Sequence, residues 1–387
     1  MKSPYTFSLL IFLLILLPQK QTTASHILSP EARISLLTAG PGEQLYAAFG
    51  HSALWVHDPA YNIDEVYNWG TFDFDTPNFY LKFMQGRLLY KLTVVPLHVF
   101  LNEYRQTGRF VHEQTLNLTF EEKMRIYNFL QINRQPENIY YLYDFFYDNC
   151  ATRIRDLVDE QLDIDWGPDP HPHVERSFRD MLKPYVAYKP WIELGIDILL
   201  GLPADEKATP WHTMFLPDDM FIAFGHARHY DGRVLVNAWR EILPEQIVWE
   251  SPFGPTPVIT FWLLFVAGCL TLLHRKSIMV FSKIYFLLLG TLGIIVFFMW
   301  FLSDHIATAL NMNLLWTLPT HIYFSVRMNS ISAFTKIVMT WYARFVFVVS
   351  VLLLVSWPVF PQSFHPAVFP LIALSAVLCG ACLIRRK

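Results

Sequence analysis

The alternation of apolar and polar positions divides the chain into unlike parts. An apolar run from Phe7 to Leu17, preceded by Lys2 and followed by Pro18 and a polar stretch, is too short to span a bilayer. It predicts a secretory signal over 1–25, with cleavage near Ala24 or Ser25. Residues 26–250 mix polar and apolar positions at the length of one globular domain. The Pro/Gly-rich stretch 251–257 reads as a stiff linker. Residues 258–387 then carry apolar runs at 257–273, 279–302, 337–357 and 366–384, each near the length of a membrane-crossing helix. A more polar run covers 306–326. Counting it as a crossing puts Arg275 and Lys276, then Arg327 and Lys336, and finally the terminal basic residues on the cytoplasmic side, as the positive-inside rule requires. Five C-terminal crossings are therefore expected.

Within 26–250 the pattern predicts a strand over 48–56, turn residues at 58–62, and a returning strand over 66–74. Apolar residues at helical spacing predict a helix over 120–131, with Thr119 as N-cap and Glu121 and Glu122 in its first turn. A second helix is expected over 152–162, where Ile154, Leu157, Val158 and Leu162 share a face. Asn149 or Asp148 would cap it and leave Cys150 in its first turn. The aromatic run 140–147 reads as strand and core.

Net charge is −3 with no basic cluster, so nucleic acid is not an expected partner. Cys150 is the one cysteine outside the signal and the apolar runs; Cys269, Cys379 and Cys382 lie inside the latter. In an exported domain it has no soluble partner for an internal disulfide. A thiol at a helix start is favoured as thiolate, and the nearby N–H groups can receive an oxyanion. His51 on the predicted strand is the candidate general base and acid for Cys150 as nucleophile. Asn68, Thr71 and Asp73 are candidates for orienting the imidazole, with Asn68 chosen by analogy with cysteine–histidine–asparagine sites. The histidines at 171 and 173, and at 226 and 229, fall short of the three or four convergent ligands of a zinc site, so no metal and no cofactor is expected. Asn311, Asn313 and His321 in the polar run are candidate intramembrane substrate contacts, or else amides that satisfy nearby backbone.

The order of these boxes, with Gly50-His51-Ser52 on a strand and Asp148-Asn149-Cys150-Ala151-Thr152 at a helix start, resembles a circularly permuted papain-like arrangement of the NlpC and lecithin:retinol acyltransferase type. Together with 67–74 and the segment around Asn311, Asn313, Pro319 and His321, the chain is similar to the Lnb family of bacterial lipoprotein N-acyltransferases. The resemblance implies an α+β thiol domain followed by an all-α transmembrane domain of five helices, in the bacterial inner membrane with the first domain periplasmic. It also implies transfer of a fatty acyl chain from a membrane glycerolipid, through a Cys150 thioester, to the α-amino group of diacylglyceryl lipoproteins. A membrane-tethered NlpC-like cell-wall amidase or peptidase uses the same pair and is the enzymatic alternative; a scaffold or sensor is the non-enzymatic one.

Overall fold

Six of the seven residues of strand β1 (Arg33–Ala39) are buried, as a strand covered on both faces requires. It lies inside a seven-stranded antiparallel sheet with β2 (His51–Asp58), β3 (Ile63–Thr71), β4 (Leu89–Val95), β5 (Val111–Leu116), β6 (Tyr140–Leu142) and β9 (Val236–Leu243), in the order β6-β4-β3-β2-β1-β5-β9. A separate pair joins β7 (Ile164–Asp165) to β8 (Arg228–His229). The computed structural model describes residues 27–168, 175–249, 253–328, 330 and 332–385. The expected signal, His171, His173 and the start of the linker lie outside them.

The expected hairpin is present as β2 and β3, in the register Leu54 opposite Tyr67 through Asp58 opposite Ile63. The helices of this part are α1 (Phe79–Met84), α2 (Leu97–Thr107), α3 (Phe120–Asn133), α4 (Cys150–Gln161), α5 (Phe178–Val186), α6 (Pro190–Leu199), α7 (Pro210–Thr213) and α8 (Pro217–His226). Helix α3 begins as its sequence predicts. Thr119 Oγ1 accepts from Glu122 N at 3.2 Å, and Glu122 Oε2 accepts from Thr119 N at 2.6 Å. The apolar face of α4 buries Ile154, Leu157 and Val158 in one core with Leu54, Val56 and Tyr67 of the hairpin. Each such side chain contributes about 1.5–3 kcal/mol. This packing fixes the start of α4 against the sheet.

The C-terminal helices are α9 (Pro257–Leu270), α10 (Arg275–Phe301), α11 (Leu314–Thr317), α12 (His321–Arg327), α13 (Ala333–Ser356) and α14 (Val368–Arg385). Helices α10 and α13 are long and apolar enough to cross a membrane; α9, with the turn that follows it, and α14 are apolar but shorter. The expectation of one crossing helix over 306–326 is corrected: that stretch folds as a single 3-10 turn and the short helices α11 and α12. Leu310 has φ 50°, and Leu318, which precedes Pro319, leaves the helical region with ψ 120°, because a residue before proline avoids that region. The broken segment lies against α10 where that helix lacks side chains. A Cβ on Gly293 would stand 1.8 Å from Thr317 O, and one on Gly290 would stand 2.7 Å from Ile322 Cγ1.

The polar residues of this segment tie the two parts of the chain together. The last carbonyls of α6 have no partner within their own helix. Asn311 Nδ2 donates to Ile198 O and Leu199 O at 2.8 and 3.0 Å, and Asn313 Nδ2 donates to Ile198 O at 3.1 Å. Next to them, Arg179 is fully buried and pairs with Asp197 and Asp205 at 2.9 and 3.0 Å. The loop after α10 meets the first part a second time: Arg87 pairs with Asp304 at 2.7 Å, and His305 Nε2 donates to Phe83 O at 2.7 Å. Gly201 N donates to Ala307 O at 2.8 Å, and a Cβ on Gly201 would stand 1.8 Å from Ala309 O. Gly201→Ala should therefore destabilise the docked protein by about 1–3 kcal/mol. Heat unfolding of the detergent-solubilised protein checks this, and an unchanged midpoint would contradict it.

Candidate active site

His51 is the first residue of β2, and the ladder between β2 and β3 stops at Leu54 and Tyr67. Beyond that point β3 is irregular: its register against β4 shifts between Asn68 and Thr71, and Gly70 has φ +89°. Such irregularities re-aim side chains. Here Asn68 Oδ1 comes to 2.6 Å from His51 Nε2. The Nε2–H donates to the amide oxygen, which leaves Nδ1 as the ring nitrogen free to face another group. Of the three residues considered for orienting the imidazole, Asn68 is the one in hydrogen-bond contact. Thr71 Oγ1 is instead 2.9 Å from Thr93 Oγ1, and Asp73 Oδ1 accepts from Asp75 N.

The start of α4 is held by Asn149. Its Oδ1 accepts from Ala151 N and Thr152 N at 2.8 and 2.9 Å, and its backbone N–H donates to Thr152 Oγ1 at 2.7 Å. Its Nδ2 donates to Phe145 O and Phe215 O at 2.8 and 2.9 Å. Both amide hydrogens are thus engaged, so Asn149 caps the helix and has no donor left for an oxyanion. The backbone N–H of Cys150 has no acceptor among the described residues, and it is the better candidate for that role.

Cys150 is 8% exposed and lies beside His51. The backbone N–H groups of Ser52 and Ala151 also favour the thiolate. Burial by itself would push the thiol up and the imidazole down. The attraction between the two groups and their mutual hydrogen bond outweigh it, so the Cys150 thiol lies below its ordinary range and His51 above its own. Asn68 adds to the second effect. Both shifts act in the same sense, toward a thiolate beside an imidazolium. The backbone of Gly70 runs beside both groups: a Cβ there would stand 3.7 Å from Cys150 Cβ and 3.8 Å from His51 Cε1. A side chain at this position would cover the pair.

A cavity of about 230 Å³ opens beside the pair, with His51, Asn68, Gly70, Phe72, Phe74 and Arg109 among its lining residues. Cys150 is not part of that lining and connects to it through His51. Arg109 escapes a reading of the sequence because nothing in Thr107-Gly108-Arg109-Phe110 marks it; the sheet alone brings it to His51. The Ser52 N–H is equally invisible in the sequence, since backbone donors carry no residue signature.

The remaining candidates lie elsewhere. Asn311, Asn313 and His321 are fully or almost fully buried. The first two hold the carbonyls of α6. His321 Nε2 donates to Trp316 O at 3.2 Å, and its Nδ1 accepts from Tyr342 Oη at 3.0 Å. Of the two alternatives left open for them, these partners match the second: the polar groups satisfy backbone and neighbouring side chains within the protein. His226 Nδ1 is bonded to Ile222 O, and His229 Nε2 to Asn117 O.

No curated protein and no solved structure matches the chain significantly. Two family models do, and together they cover more than half of it. The Lnb N-terminal periplasmic domain matches residues 20–173, and the Lnb transmembrane domain matches residues 249–387. The first part of the chain is accordingly a periplasmic domain and the helical part a transmembrane domain, which places the protein in the inner membrane. The chain belongs to the Lnb family.

Proposed function

We propose that this protein is a lipoprotein N-acyltransferase that carries the acyl chain as a thioester on Cys150. The observation that supports the reading best is the adjacent Cys150–His51 pair at a capped helix start, in a periplasmic domain docked on membrane helices. A histidine on a strand that precedes a cysteine at a helix start is also the chain order of a circularly permuted papain-like fold.

In the first half-reaction the Cys150 thiolate attacks the ester carbonyl of a glycerolipid and forms a carbon–sulfur bond. The Cys150 N–H faces the oxyanion of the tetrahedral intermediate. As the ester C–O bond breaks, His51 gives its proton to the leaving alkoxide. The deacylated lipid departs and a thioester remains. In the second half-reaction the neutral α-amino group of a diacylglyceryl lipoprotein attacks that thioester, and His51 Nδ1 takes a proton from the amine. The C–S bond breaks, the product is an amide, and the thiolate–imidazolium pair is restored. Asn68 holds the ring so that Nδ1 faces the reaction in both halves. No cofactor or metal enters the scheme. Water would hydrolyse the thioester, so the buried thiol suits transfer better than hydrolysis.

Mass spectrometry of the N-terminal peptide of a lipoprotein, from cells with and without this protein, tests the reading. The expected difference is one additional amide-linked acyl chain on the N-terminal cysteine. Identical peptides, together with cleavage of muropeptides by the purified full-length protein, would replace the transferase with a cell-wall amidase.

A further inference from the structure

Arg109 is a buried cation without an ion-pair partner among the described residues. The side chain is 4% exposed, and its Nη2 has no hydrogen-bond partner. Among the described residues it takes part in no ion pair; Glu103 lines the same cavity without pairing to it. Yet the residue is built firmly into place. Gly108 ends α2 with φ +67°, and Arg109 N donates back to Tyr104 O at 2.9 Å. Nε donates to Gly40 O at 2.7 Å, and the guanidinium lies 4.7 Å from the centre of the Tyr104 ring. Gly42 leaves the space the side chain needs, since a Cβ there would stand 3.1 Å from Arg109 Cδ.

A guanidinium stays charged at any working pH. Burying it without an anion is costly, and a ligand that brings the anion removes the cost. A neutral ester carbonyl would supply an acceptor but no charge. Phe72 and Phe74 line the same cavity, so it offers apolar walls and a cation together, beside the histidine that touches Cys150. That combination fits an amphiphile whose phosphate lies a few bonds from an ester carbonyl.

We propose that Arg109 binds the phosphodiester of the acyl donor, which makes the donor a glycerophospholipid and not the phosphate-free diacylglyceryl group of the lipoprotein itself. The proposal rests on the acyl-transfer reading but is tested without transfer. A diether glycerophospholipid has no ester to give up. Presented in detergent micelles to the full-length protein, it should slow alkylation of Cys150 by iodoacetamide about tenfold or more, the scale of a charge-assisted hydrogen bond. The matching diether glycerol, which lacks phosphate, should protect little. Arg109→Gln should lose the protection and Arg109→Lys should keep part of it. Equal protection by the two ether lipids in the unaltered protein would overturn the proposal, whatever the variants do to folding. So would full protection in a folded Arg109→Gln protein. Inorganic phosphate that protects as well as the lipid would overturn the assignment to a lipid. Phosphate-dependent protection without N-acylation of lipoproteins would uphold the Arg109 site and overturn the transfer reading alone.

Discussion

Cys150→Ala is expected to abolish N-acylation of lipoproteins, by about a thousandfold or more, while the protein stays in the membrane at its usual amount. The two halves of this expectation have separate causes. The chemical half follows from the thiolate: the other partners of the pair cannot take up an acyl chain, because Asn68, bonded to His51, is an amide, and Ser52 and Ala151 act on the sulfur only through backbone N–H groups. The structural half follows from how α4 is built. Its start is capped by Asn149 and Thr152, and its apolar face is anchored by Ile154, Leu157 and Val158, none of which depends on the sulfur. Losing one small atom at an 8% exposed position leaves all of these contacts in place. Cys150→Ser should fail as well, since a hydroxyl is not ionised by the imidazole as a thiol is. Peptide mass spectrometry read beside the membrane content of the variant separates the halves. Full acylation by Cys150→Ala would rule out the thioester, and loss of the variant from the membrane would refute the structural account.

What the sequence discloses of this arrangement depends on how local the determining physics is. The β2–β3 hairpin, the capping box at Thr119 and the cap at Asn149 are made by residues within a few positions of each other, and each can be read from its own stretch. The pairing of His51 with Cys150 was expected from the chemistry of the two residues rather than from position. Asn311 and Asn313 show the opposite case. Polar residues in an apolar run raise the expectation of substrate or ion contact, but their partners here are carbonyls at Ile198 and Leu199, more than a hundred positions earlier. Nothing near residue 311 announces that α6 ends against it. The same docking accounts for the breaks in the helix expected over 306–326. Its hydropathy allowed a helix, whereas the carbonyls of α6 and the small residues Gly290 and Gly293 of α10 favour a broken segment that fits between them. Arg109 is hidden for a related reason, since its meaning lies in the partner it lacks.

Replacing His51 by glutamine should move the ionisation of Cys150 upward and remove activity at every pH. In the native pair the Cys150 thiol is held below its ordinary range, so the thiolate persists above that lowered value and is lost as the pH falls through it. His51 is held above its ordinary range, so the imidazolium persists below that raised value and is lost as the pH rises through it. Thiolate and imidazolium coexist most between the two limbs, so transfer should follow a bell. Because the groups are coupled, both limbs belong to the pair. In His51→Gln the attraction and the hydrogen bond from the imidazole disappear while burial remains. Burial alone raises a thiol. The rate of Cys150 alkylation by iodoacetamide should then rise only above the ordinary thiol range of about 8.5, and at neutral pH it should fall by about ten- to a hundredfold. Asn68→Ala should give a smaller displacement of the alkaline limb downward, because its bond to His51 counts for less than the contacts with Cys150. An alkylation profile in His51→Gln that coincides with that of the native protein would mean that the imidazole does not ionise the thiol. Cys150 would then owe its reactivity to the N–H groups of Ser52 on β2 and Ala151 at the start of α4.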